Sequence, residues 1–133
     1  VGGGSNHRFN LSDGVLIKDN HIVAAGGITA AVEAVRRNMP HTLKIEVETE
    51  SMAQIDEALA AGADIIMLDN MTPAQAKECY VAIKAIDQRI TVEVSGGIGP
   101  KNAKTYAHYA DVISMGALTH SAPAMHLSMH ILE

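Results

Sequence analysis

Five short runs of β-branched and aliphatic residues recur along the chain, each ending on a polar side chain or a glycine and each followed by a segment with helical character. They span 14–18, 43–48, 64–69, 90–95 and 111–116, and end on Lys18, Glu48, Asp69, Ser95-Gly96-Gly97 and Gly116. Strands that alternate with helices make a parallel sheet, because parallel neighbours need a crossover connection and a helix is the usual one. In such architectures ligands sit at the carboxyl ends of the strands. The five endings therefore mark a candidate site before any motif is considered.

The helix signals are local. Thr29 reads as the N-cap of a helix over 30–38, with Val32 and Val35 on its inner face and Asn38-Met39-Pro40 as its stop. Ser51-x-x-Gln54 is a capping box opening a helix that carries Ile55 and Leu59 four apart and ends at Gly62. Thr72-Pro73-x-Gln75 repeats the box with proline at the first helical position, and Ala76, Cys79, Tyr80 and Ile83 form one apolar stripe. Gly99-Pro100 predicts a helix through about residue 108, and Met125 and Met129, four apart, predict helix packing in the final segment.

At 133 residues the chain is one small domain, and its 47% hydrophobic content is enough for a core. The single cysteine, Cys79, allows no intramolecular disulfide and suits a reducing cytoplasm; it reads as a small core hydrophobe. There is no apolar run of bilayer-spanning length and no secretory leader pattern. A net charge of −5 without a Lys/Arg cluster, with one Phe, three Tyr and no Trp, argues against a nucleic-acid surface. A closed (β/α)₈ barrel takes about 250 residues, whereas five β/α units fill this sequence, which opens on Val1-Gly2-Gly3-Gly4. The expectation is an incomplete, TIM-like parallel α/β barrel: residues 1–133 as the C-terminal part of a barrel domain, without an N-terminal domain.

Strand alternation locates the charges. Lys44, Glu46 and Glu48 point one way and Ile45, Val47 and Thr49 the other; Thr91, Glu93 and Ser95 likewise oppose Val92 and Val94. A face carrying carboxylates cannot be the one covered by helices, where burying each would cost several kcal/mol. It should line the barrel lumen, with Lys18 and Lys44 paired to Glu46, Glu48, Glu93 and Asp69. Lys44, Glu46 and Glu93 lie deeper than the strand ends and read as inert lumen pairs.

Around the first strand mouth, His7, Arg8 and Lys18 converge as donors suited to a small polyanion such as a dicarboxylate. Here the sequence resembles a known family. Gly2-Gly3-Gly4-Ser5-Asn6-His7-Arg8, Leu16-Ile17-Lys18-Asp19-Asn20-His21, the Glu46-Val47-Glu48 strand, Ile65-Ile66-Met67-Leu68-Asp69-Asn70, Glu93-Val94-Ser95-Gly96-Gly97 and the close around Ser114-Met115-Gly116-Ala117-Leu118-Thr119-His120-Ser121 follow in the order of the quinolinate phosphoribosyltransferases.

That resemblance implies transfer of the phosphoribosyl group of phosphoribosyl pyrophosphate to quinolinate with decarboxylation, a step of NAD biosynthesis, by a homodimer or higher homo-oligomer. It implies that His7, Arg8 and Lys18 bind quinolinate and that Glu48 and Asp69 are acids serving ribose or Mg²⁺, directly or indirectly. Lys18, Glu48 and Asp69 are the implied catalytic set, and Ser95, Gly96, Gly97 and Gly116, with His120, the phosphate grip. It also implies an N-terminal α/β domain and early barrel elements that add cations to the site, partly across a dimer interface. The chemistry needs no protein nucleophile, since a pyridine nitrogen already is one. Two other readings stand beside this one: a paralogous transferase acting on another aromatic acid, and a non-catalytic fragment that binds phosphate or a partner half.

The residues alone leave some roles open. Ser95-Gly96-Gly97 before a helix start offers free N–H groups and a positive helix end to phosphate, or is simply a tight turn. His21 and His120 could contact phosphate or pack, and Asn70 could bind ligand or cap the next turn. His41, His108, His126 and His130 share no metal-site spacing.

Overall fold

The computed structural model describes residues 2–132. Strands β1 (Val15–Ile17), β2 (Ile45–Thr49), β3 (Ile65–Asp69), β4 (Thr91–Ser95) and β5 (Val112–Ile113) fall within or one residue beyond the five runs. Helices α1 (Asp19–Ala25), α2 (Ile28–Asn38), α3 (Met52–Ala60), α4 (Pro73–Ile86), α5 (Ala103–Tyr106) and α6 (Ala117–His120) lie between and after them. All neighbouring strands pair in parallel, in the order β1-β2-β3-β4-β5. Strand order follows chain order without reversal, which is the arrangement of a (β/α) barrel rather than of a doubly wound sheet with its switch point.

The sheet has two unlike faces. Ile45, Val47, Ile66, Leu68, Val92 and Val94 are fully or almost fully buried, in one cluster with Ile28, Val32, Ile55, Ala76, Cys79 and Ile83 from the helices. Cys79 is thus a core residue, its Sγ 3.7 Å from the Met71 sulfur. The other face carries Glu46, Glu48, Met67, Asp69, Glu93 and Ser95, as period-two alternation requires.

Caps that close within a few residues form as expected. Ser51 Oγ accepts from Gln54 N, and Gln54 Oε1 from Glu50 N. Thr72 and Gln75 make the reciprocal box at α4. Gly62 is left-handed (φ 79°) just past α3.

Three helix expectations are corrected. Helix α2 starts at Ile28 behind Gly27 (φ 144°), so Thr29 lies inside it and is not its cap. Glu57 of α3 does that work instead, accepting from Thr29 N at 2.8 Å and Thr29 Oγ1 at 3.1 Å; these bonds hold the Glu57 carboxyl below its usual range. Helix α5 is four residues, not nine, because Asn102 competes with the helical backbone: its Oδ1 accepts from Gly99 N and its Nδ2 donates to Gly97 O, making residues 99–102 a turn. Residues 121–132 form no helix, and Met125 and Met129 are 81% and 87% exposed, without packing partners that would order one. Conversely, α1 directly after Lys18 was not anticipated. Among the described residues no helix is long and apolar enough to cross a membrane.

One device recurs at the amino ends of the strands. The Asp64 carboxylate accepts from Ile45 N at 2.8 Å and from Arg36 of α2 at 2.9 Å. Asp111 repeats this with Val92 N at 2.8 Å and Lys84 of α4 at 2.6 Å. Each aspartate ties the neighbouring strand to that strand's preceding helix. Lys84 is 13% exposed, so Asp111→Ala leaves a largely buried ammonium without its counter-charge and an orphaned strand N–H. Thermal and urea unfolding should show a loss of about 2 kcal/mol; a loss below about 0.5 kcal/mol would refute this role.

Candidate active site

Glu46 of β2 and Glu93 of β4 are each 4% exposed, in the sheet face away from the helices. Their expected partner Lys44 is not there. It sits one residue before β2, at the amino end of the strands, exposed beside a cavity of about 710 Å³ that also includes Asp64, Asp87 and Arg89. His7 replaces it: Nε2 is 3.0 Å from Glu46 Oε2 and 3.7 Å from Glu93 Oε2. Ser114 Oγ donates to Glu93 Oε1 at 2.6 Å, while Glu46 Oε1 is buried with no hydrogen-bond partner among the described residues. Burial, reinforced by the Glu93 carboxylate and opposed by His7, pushes the Glu46 carboxyl up to about 7. The pair is therefore a strained acidic floor held by a histidine rather than an inert Lys–Glu pair.

Above this floor, Lys18 Nζ lies 3.7 Å from Glu48 Oε2. The Glu48 carboxyl is raised by burial, an effect that Lys18 opposes and the Asp69 charge reinforces. Asp69 pairs in register with Ser95, and its carboxylate accepts from Asn70 Nδ2, not from a lysine as expected. Asn70 in turn abuts Gly96. Lys18, Glu48, Asp69 and Gly96 thus share one rim at the carboxyl ends of the strands. Arg8 Nη1 donates to Gly14 O at 3.1 Å, just before β1 and so at the amino end of the strands, which leaves it within electrostatic range of Glu46 but away from the rim of Lys18, Glu48 and Asp69. His21 Nδ1 accepts from Lys18 N at 3.0 Å, at the start of α1.

Ser95, Gly96, Gly97, Ser114, Gly116 and His120 border a cleft of about 460 Å³. Gly96 and Gly97 are left-handed (φ 85° and 62°). Among the described residues the N–H groups of Gly96, Gly97 and Gly116 find no backbone or side-chain acceptor, as an anion site requires. The expected positive end of a long helix is absent, since α5 has one turn; the donors come from the loop itself. At Gly116 an added Cβ would come within 3.0 Å of His120 Nε2, so the glycine makes room for that ring. His41, His108, His126 and His130 are exposed.

The donor chemistry fits a magnesium ion brought with a polyphosphate. Glu48 and Asp69 would offer it hard oxygen ligands, and Glu48, raised chiefly by burial, with Lys18 opposing and Asp69 adding to the effect, would be eased by a cation. Two carboxylates do not make a closed cage, which suits Mg²⁺ because it keeps water and phosphate ligands. In the wider cavity at the opposite end, Asp64 is paired with Arg36 and Asp87 with Arg89.

Of the residues the sequence singled out, Lys18, Glu48, Asp69, Ser95 and the glycines meet at the strand ends, whereas His7 lies deeper on Glu46 and Glu93 and Arg8 is bonded to Gly14 O; Asn70 as a contact of Asp69 and Ser114 as a partner of Glu93 were missed. Strand alternation through Val112 puts Ser114 on the lumen side and could have found it; nothing local marks the reach of Asn70.

The family described as "Quinolinate phosphoribosyl transferase, C-terminal domain" matches residues 1–130. The chain is 47% identical to a probable nicotinate-nucleotide pyrophosphorylase [carboxylating] of Methanocaldococcus jannaschii, over 100% of this chain and 48% of that protein. It is 43% identical to the Homo sapiens nicotinate-nucleotide pyrophosphorylase [carboxylating], over 98% and 44%. The crystal structure of NadC from Streptococcus pyogenes superposes with a TM-score of 0.82 at 45% identity, over 90% of this chain and 41% of that one. The chain spans about half the length of the curated relatives it matches.

Proposed function

Because the chain belongs to the quinolinate phosphoribosyltransferase C-terminal domain family, we propose that it supplies the strand-end rim on which phosphoribosyl pyrophosphate and quinolinate react to give nicotinate mononucleotide, pyrophosphate and carbon dioxide. The carrying observation is the sharing of one rim by a cationic mouth, paired acids and a glycine cleft with free N–H groups.

His7, Arg8 and Lys18 hold the two carboxylates of the pyridine diacid and turn its ring nitrogen toward the sugar. Glu48 and Asp69 face the ribose, where positive charge develops at the anomeric carbon as its bond to pyrophosphate breaks and the nitrogen's bond forms. The Gly96–Gly97 and Gly116 loops, with Ser95 and His120, hold the 5′-phosphate. Mg²⁺, held by Glu48 and Asp69 directly or through ribose and phosphate oxygens, would neutralise charge on the departing pyrophosphate. Once ribosylated, the ring is cationic and takes up the electron pair released as the 2-carboxylate leaves as carbon dioxide; a proton then replaces it. The cations need only position that carboxylate. We further propose that the chain is the C-terminal part of its barrel domain, that the remaining length of the relatives completes the site, and that the enzyme works in the cytoplasm as a homodimer or higher homo-oligomer.

In a chain of the relatives' length that includes these residues, Lys18→Ala should raise KM for quinolinate by about tenfold or more, the worth of one charge-assisted contact. KM for phosphoribosyl pyrophosphate should change far less. Equal losses for both substrates would sink this division of roles, and a parent enzyme releasing no carbon dioxide from quinolinate would sink the activity itself.

A further inference from the structure

Asn70 is the one non-glycine residue with positive φ (52°) among the described residues, and it sits directly after Asp69 at the end of β3. It is not the cap of the next helix, because Thr72 is. Two hydrogen bonds and one close packing contact fix it instead. The backbone N–H donates to Ser95 O at 3.1 Å, across to the end of β4. The side-chain Nδ2 donates to Asp69 Oδ2 at 2.5 Å. The same side chain packs on the face of Gly96 so closely that a Cβ there would lie 2.6 Å from Asn70 Cγ.

We infer that Asn70 is a positioning residue that locks the Asp69 carboxylate to the Ser95-Gly96-Gly97 loop, so that the acid serving the ribose and the donors serving the 5′-phosphate keep one fixed separation. The inference rests on the reading of Asp69 and Gly96–Gly97 given above. The left-handed backbone is what makes the arrangement possible: an asparagine tolerates it better than other side-chain-bearing residues, and it turns the amide back onto the preceding carboxylate. A glycine could take the same backbone but would leave Asp69 Oδ2 without its donor and Gly96 without its neighbour. An aspartate would set a second negative charge against Asp69. A phosphorylated pentose is the ligand whose two ends such a lock would register, whereas quinolinate meets the His7, Arg8 and Lys18 side of the rim.

The test is Asn70→Gly and Asn70→Asp in a chain of the relatives' full length, with binding of phosphoribosyl pyrophosphate followed by calorimetry and both KM values by steady-state assay. For Asn70→Gly we expect a melting temperature close to the parent's, about tenfold weaker binding of phosphoribosyl pyrophosphate, and a nearly unchanged KM for quinolinate. Asn70→Asp should be at least as impaired as Asn70→Gly. Unchanged affinity for phosphoribosyl pyrophosphate in Asn70→Gly, or equal losses for both substrates, would overturn the inference. Failure of the parent to bind phosphoribosyl pyrophosphate at all would instead overturn the functional reading beneath it.

Discussion

In a chain of the relatives' full length with the proposed activity, Gly96→Ala should lower the melting temperature by about 10 °C and reduce kcat/KM for phosphoribosyl pyrophosphate by at least about a hundredfold. Two independent effects add. The backbone at Gly96 is left-handed, at φ 85°, which costs an alanine about 1 kcal/mol or more. The new Cβ would also lie 2.7 Å from the Asn70 backbone nitrogen, a contact that no side-chain rotation can relieve, so β3 and β4 must part or the loop must move. Overpacking of this kind costs about 1–3 kcal/mol. Either movement takes the Gly96 and Gly97 N–H groups off the position at which they would meet a phosphate, hence the larger effect on catalysis than on stability. Neighbouring Gly97 is the control, since it too has positive φ but open space where its Cβ would be. Gly97→Ala should destabilise by the backbone term alone. Were both variants to lose stability and kcat/KM equally, the close approach between Asn70 and Gly96 would not be what fixes the loop.

Glu46→Gln should stabilise the protein at pH 8, by about 2 kcal/mol, and do nothing for it near pH 4. Glu46 is 4% exposed, and one of its oxygens has no partner. In the folded protein it keeps its proton up to about pH 7, whereas in the unfolded chain it releases it near pH 4.5. Between those values the folded state binds the extra proton, so the stability of the parent falls as pH rises from about 4.5 to about 7 and levels off above. A glutamine keeps the shape, can still accept from His7, and removes both the desolvated charge and its repulsion of Glu93. Urea unfolding at pH 4, 6 and 8 decides the matter. A stabilisation independent of pH, or none at pH 8, would show that the two glutamates are not held at a cost. The parent keeping a costly acid beneath His7 agrees with a site at which stability gives way to substrate recognition.

The folding pattern and the rim were legible in different degrees because of how far each interaction reaches. All five strands, the Ser51 cap, the capping box at Thr72 and the C-terminal glycine of α3 depend on alternation or on contacts three to four residues apart, and each formed as the sequence indicates; at Ser51 the return bond of the box went instead to Glu50 N. The same alternation separated an acidic sheet face from an apolar one, and parallel pairing carried every strand ending to one rim. Where the sequence misled, a side chain outside the expected pattern had taken the bond, twice from far along the chain and once from within a turn. Thr29 lost its capping role to Glu57, 28 residues away; Lys44 lost Glu46 to His7, 39 residues away; and Asn102 broke a helix by reaching back to Gly97.

Sequence by itself determined that this chain forms a parallel α/β sheet, which faces are apolar, and which residue types crowd the strand ends, since those properties follow from period and from neighbours a turn apart. Only the tertiary structure decided that a histidine rather than a lysine caps the buried acids, that Asn70 lies against both Asp69 and the glycine loop, and that the unpaired N–H groups at the Gly96–Gly97 cleft belong to a loop rather than a helix end. Side chains from separate strands compete for the same carboxylates, and the outcome depends on strand stagger and burial depth, which no local pattern encodes.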